Sequence, residues 1–141
     1  NVTMTGFVKH ESIPSYQAAA DVLLMPYSHS IEASSGQDIA EVINPMKMFE
    51  YMAAGRGIIS ADLPSIREVL NEGNAVLVEP VEEGNREWGI GNWKAAIESL
   101  LADDPRRLAL GAQARKDVEQ LTWVKREERV MELLGSKLRG L

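Results

Sequence analysis

At 141 residues the chain suits one domain with room for a real core, and its 45% hydrophobic and 26% charged content is that of an ordinary globular protein. A formal net charge of -6 excludes non-specific nucleic-acid binding, which needs many Lys and Arg to displace counterions from phosphate. The absence of cysteine excludes disulfides and Cys-based zinc sites, and no apolar run approaches the roughly 20 residues that a membrane span requires.

The chain opens Asn1-Val2-Thr3-Met4 with no initiator methionine, and the expectation is an internal start with further polypeptide upstream. Val2, Met4, Phe7 and Val8 alternate loosely enough to predict a strand over Val2 to Val8. His10 falls in a surface turn before a short helix from Pro14 to Ala20, opened by a first-turn proline. Val22-Leu23-Leu24-Met25 is a continuous apolar run, which predicts a strand over Asp21 to Pro26 buried on both faces. A polar stretch from Tyr27 to Ile43 follows. Met46 to Ala54 reads as a helix stopped by Gly55 and Gly57, and Ile58 to Ala61 as another short buried strand.

Ser65 and Glu68 stand at capping-box spacing just after Pro64 and mark a further helix start. Asn74 to Val78 predicts a fourth strand. Trp93, Ala96, Ile97, Leu100 and Leu101 form a helical stripe behind a Gly-rich loop flanked by Trp88 and Trp93. Asp104-Pro105 supplies an N-cap and a first-turn proline for a helix to about Glu119. Thr122 caps a last helix whose inner face would be Trp123, Val130, Met131, Leu134 and Leu138. Strands alternating with helices predict an α/β fold, a Rossmann-like doubly wound parallel sheet with a helical C-terminal layer. Four strands are few for such a sheet, so its first strands are expected upstream of Asn1.

In doubly wound sheets ligands sit beyond the C-terminal ends of the strands, where loops enter helices. Asn44 to Gly55 is such a place. Pro45 at the first helical position would leave the amides of Met46 and Lys47 free for an anion, with the helix dipole and the Lys47 ammonium adding positive charge. Glu50 lies one turn further in, on a helix otherwise apolar nearly all round, where an ionised carboxylate needs a hydrogen-bonding partner. The vicinal hydroxyls of a ribose would serve. Spacing alone equally allows Lys47 and Glu50, three residues apart, to pair with each other.

Four stretches in order carry a resemblance: Asn1 to Val8; Ile13 to Tyr16 with Ala20 to Pro26; Pro45 to Gly55 with Ile58 to Asp62; and Leu63 to Leu70. Ala75 to Pro80 and Leu121-Thr122-Trp123 extend it over nearly the whole chain. Together they resemble the C-terminal, donor-binding domain of family 4 (group 1) glycosyltransferases, which have two facing Rossmann-like domains, the GT-B fold. The resemblance implies transfer of a sugar, with retention, from a nucleotide diphosphate sugar to a glycan, lipid or small-molecule acceptor. It implies no cofactor and no metal. The whole chain, 1–141, would be the nucleotide-sugar-binding domain, with the acceptor bound by an N-terminal domain outside it, so that the fragment alone would be inactive. A cytoplasmic protein, at the inner face of a membrane in some settings, fits that reading, as does peripheral membrane association of the intact protein.

The resemblance also assigns residues. Phe7 and Val8 would contact the base, Pro45, Met46 and Lys47 the donor phosphates, and Glu50 the ribose. Two departures stand out. The family's first motif glutamate falls on Val42, with Glu41 adjacent, and its glycine falls on Pro45. A Pro-x-Lys helix tip resembles that of branches lacking the first glutamate. The alternatives are a non-catalytic nucleotide-sugar-binding or assembly module and a sugar-nucleotide epimerase on the same fold.

Other candidates have plainer readings. His29 reads as a loop residue near the site mouth, and Ser34-Ser35-Gly36 lacks the context of a nucleophile elbow. Asp62 ends a strand, where it either caps a turn or approaches the donor sugar. Arg106, Arg107, Arg115 and Lys116 read as a solvated helix face.

Overall fold

The structure, a computed structural model, describes residues 2–28, 44–81 and 86–138. A 3-10 turn at His10–Ser12 leads into α1 (Ile13–Ala19), and β1 (Val22–Met25) follows. Next come α2 (Met46–Ala54), β2 (Gly57–Ala61), α3 (Pro64–Arg67) and β3 (Val76–Val78). Three helices close the chain: α4 (Arg86–Ala102), α5 (Asp104–Val118) and α6 (Trp123–Leu138). His29, the Ser34-Ser35-Gly36 run, Glu41 and Val42 lie outside the described residues, as does the side chain of Trp88.

The described strands form one parallel sheet in the order β1-β2-β3, with Leu23 opposite Ile58 and Ser60 opposite Leu77. This is the doubly wound α/β arrangement expected. All five residues of β2 are buried, because a central parallel strand is covered on both faces. β1 departs from expectation. Leu24 is 38% exposed, so the apolar run Val22 to Met25 is not covered on both faces.

α2 forms as the sequence dictates. Its apolar positions recur at helical spacing, and Met48 and Met52 are wholly buried, each worth about 1.5–3 kcal/mol of transfer free energy. Gly55 ends it in the left-handed region at φ 65°, a conformation cheap only for glycine, and its amide donates to the Met52 carbonyl. α5 lies against α2 and β2 and closes the core with Leu110 and Ala114, while α4 covers β3 and β2 through Trp93 and Leu100.

Several local expectations are corrected. Residues 2–8 form no strand; they pair with none of the three strands, and Val2, Met4 and Phe7 are exposed. The sheet thus has three described strands, not four. The Ser65–Glu68 capping box does not form, because Leu63 is the N-cap and Ser65 lies inside α3, buried. Gly89 and Gly91 belong to α4 and not to a loop, and Gly89 packs against Val81. The cap of α5 is Asp103, whose side chain accepts from the Arg106 amide at 3.0 Å, one residue before the expected Asp104. Arg107 is no solvated residue: it reaches Asp104 at 2.7 Å and Asp21 at 3.7 Å and is only 14% exposed. Thr122 does cap α6, accepting from the Lys125 amide at 3.3 Å. Yet the expected inner face is not buried: Trp123, Val130, Met131 and Leu134 are all exposed, and the Leu138 side chain lies outside the described residues.

Candidate functional site

α2 begins one residue later than its proline suggested. Pro45 is the N-cap, in extended conformation, and its carbonyl accepts from the Met48 amide at 2.9 Å. Met46 and Lys47 thus hold the first two helical positions, whose amides have no carbonyl to reach within the helix. Met46 is largely exposed and Lys47 half-buried.

Lys47 and Glu50 do not pair. The Lys47 ammonium lies over the ring of Tyr27, 4.6 Å from its centre, so the helix tip is fastened to the residue that follows β1 by two positions. Glu50 lies on the exposed side of α2, not among hydrocarbon, so its charge carries little desolvation cost. Its Oε2 accepts from Gln17 Nε2 at 3.4 Å. Gln17 is the buried polar residue of α1 and also lines a cavity of about 300 Å³ with Thr5, Val8, Ile13, Tyr16, Leu23 and Tyr51. Gln17 thus lines the same cavity as Val8 and also donates to Glu50, which does not itself line that cavity. Phe7, by contrast, stands 95% exposed and lines none of the cavities described here.

A larger cavity of about 520 Å³ opens on the other side of α2, bounded by Asn44, Met46, Phe49, Leu121, Thr122, Trp123 and Arg126. A second of about 290 Å³ continues it towards Val69, Arg129 and Leu133. Among the described residues no cluster of three or more His, Cys, Asp or Glu is placed to hold a metal ion.

Asp62, beyond the end of β2, is committed elsewhere. Its carboxylate takes the Arg67 guanidinium through Nε and, at 2.7 Å, through Nη2, while Arg67 Nη1 donates to Glu72 at 3.0 Å. Hydrogen bonds to Asp62 and then Glu72 hold Arg67 well above the ordinary guanidinium range. Glu72 is held below the ordinary carboxylate range, first by a hydrogen bond from its own backbone and then by Arg67. Asp62 thus closes a surface turn.

Sequence reasoning missed Gln17, Tyr27, Arg126 and Arg129. Gln17 left one trace, a long polar side chain in a helix of small and apolar residues. The others are brought to α2 by tertiary structure alone.

Fold and site together define a Rossmann-like α/β unit of the GT-B type, in which Met46 at the tip of α2 lines one recess and Gln17, the partner of Glu50, lines another. The family model for group 1 glycosyl transferases matches residues 1–103, and the chain belongs to that family. It is 32% identical over 65 residues to TuaH of Bacillus subtilis, named for teichuronic acid biosynthesis, covering 46% of this chain and 15% of that protein. It is also 32% identical over 76 residues to phosphatidyl-myo-inositol mannosyltransferase of Mycolicibacterium smegmatis, covering 54% of this chain and 18% of that protein.

Among solved structures, sucrose-phosphate synthase from Thermosynechococcus elongatus superposes with a TM-score of 0.68 at 23% identity, over 99% of this chain and 31% of that one. Anabaena HepE, solved in complex with UDP, gives 0.63 at 19% identity over 88% of this chain and 30% of that one. The chain therefore spans under a fifth of these curated relatives and about a third of these structures. Among the described residues no helix is long and apolar enough to cross a membrane.

Proposed function

We propose that this chain is the donor-binding region of a glycosyltransferase that moves a sugar, with retention, from a nucleotide diphosphate sugar to a glycan, lipid or small-molecule acceptor. The reading rests chiefly on Gln17, which lines with Val8 a recess near the lower size limit for small-molecule sites and donates to the Glu50 carboxylate. A base would enter beside Val8, and Glu50 would accept from the ribose hydroxyls. HepE, which shares the fold, has been solved with UDP and with UDP-glucose.

The diphosphate would then lie at Pro45, Met46 and Lys47. Lys47 rests on Tyr27 through a cation–π contact worth about 0.5–1 kcal/mol at an exposed site. A charge-assisted bond to phosphate is stronger, so an arriving diphosphate would draw the ammonium off the ring. Rate acceleration would come from holding donor and acceptor in line and from stabilising the charge on the departing diphosphate. No metal or cofactor is needed in this scheme. The acceptor would be bound by a second domain of the intact protein, working in the cytoplasm or at the inner face of a membrane.

Calorimetry of UDP binding to the intact protein is the test. Glu50→Ala should weaken binding at least tenfold, about 1.4 kcal/mol, with an unchanged far-UV spectrum. Equal affinities would remove Glu50 from the site. Transfer that survives chelation would support the metal-free scheme, and loss restored by a divalent cation would reject it.

A further inference from the structure

We propose that the groove between α2 and α6 is a subsite for a sugar bearing a carboxylate or a phosphate, held by Arg126 with Arg129 behind it. The chain carries a net charge of -6, yet among the described residues those that line the two joined cavities with a charge are Arg126 and Arg129. At about 3.6 residues per turn these two share a side of α6 with Leu133, while Glu127, Glu128 and Glu132 point elsewhere. The positive side of the helix, exposed to solvent, thus borders the groove. Among the described residues no carboxylate pairs with either guanidinium.

Arg126 lies over the Trp123 ring, 5.6 Å from its centre, which pre-orients the planar fork that matches carboxylate and phosphate. The ring of the sugar has its own surfaces. Trp123 and Phe49 offer flat apolar faces, and Asn44 and Thr122 offer hydrogen-bonding groups, around a space of about 520 Å³. That is room for a substituted monosaccharide. Because Met46 lines the same space, the bound sugar would lie next to the tip of α2 but on the opposite side from the recess of Val8 and Gln17. This inference does not depend on the donor reading.

The test uses the intact protein titrated with glucuronic acid, glucose 6-phosphate and glucose by saturation-transfer NMR, in the presence of saturating UDP. The expected result is that at least one anionic sugar binds tenfold or more tightly than glucose. Arg126→Gln should abolish that preference, Arg126→Lys should keep part of it, and Arg129→Gln should reduce it less. Absence of binding, equal affinity for glucose, displacement by UDP, or a preference unchanged in Arg126→Gln would each overturn the assignment. Failure of UDP to bind, with the anionic preference intact, would count against the donor reading alone.

Discussion

A β-carbon on Gly111 would lie 2.4 Å from the carbonyl oxygen of Gly55, so α5 crosses the end of α2 at backbone contact. Gly111→Ala must push the two helices apart, and the atom in the way is backbone that no rotamer change can move. The expected cost is about 1–3 kcal/mol, read as a lower urea midpoint with an unchanged slope. A midpoint equal to that of the parent protein would mean that the helices separate freely.

Asn74 is almost fully buried and ties the loop between α3 and β3 to α5. Its side chain donates to Asp117 Oδ2 at 2.9 Å and to the Val69 carbonyl at 3.2 Å, and accepts from the Asn71 amide at 2.8 Å. Asn74→Ala leaves these groups short of a partner and should cost about 1–3 kcal/mol. Asn74→Asp should be worse, because it sets a second carboxylate against Asp117. Denaturant unfolding that ranks the two variants in the reverse order would contradict this account.

The Gln17–Glu50 contact predicts a coupling. Gln17→Ala should weaken UDP binding roughly three- to tenfold, in line with one net hydrogen bond of about 0.5–1.5 kcal/mol. In a Glu50→Ala background the same change should have almost no effect, since its partner has gone. Additive losses in the double variant would show that Gln17 acts on the cavity and not through the carboxylate.

Glu72 gives a titration with a definite sign. Its pKa in the folded state is lowered, so its contribution to stability is present above the unfolded value and lost as pH falls through the folded one. The window is therefore acidic, below the ordinary carboxylate range. Arg67→Ala should move the Glu72 titration upwards, in carboxyl-detected NMR, by the Arg67 share of the shift, leaving the part due to its own backbone. An unmoved titration would mean that the ion pair does not persist in solution.

The sequence marked α2 almost to the residue, because a proline, an apolar spacing and a glycine each act locally. β2 and β3 were legible for a similar reason: short branched runs between turn residues have few other uses. The strand expected over Val2 to Val8 failed because alternation does not say where a run lies: among the described residues β1 and β3 each leave one edge unpaired, yet residues 2–8 pair with neither. α6 misled in another way. Its apolar residues are at helical spacing, but periodicity says nothing about what a face packs against, and here Trp123 is 76% exposed. Of the site, Lys47 and Glu50 were visible as residue types, whereas their partners Tyr27 and Gln17 come from other elements. Local pattern cannot announce a contact 33 positions away.

α2 is fastened at the end far from its tip. Gly55 closes the helix and Gly57 already belongs to β2, so a single residue, Arg56, separates the two elements. With Pro45 ten positions earlier, the tip stands about 15 Å from that anchor, at about 1.5 Å per residue. A tilt of a few degrees imposed at Gly111 would displace Met46 and Lys47 by about an ångström, against the hold of Lys47 on Tyr27. Substitutions on α5 around Gly111 are thus a route to shifting Met46 and Lys47 without touching either.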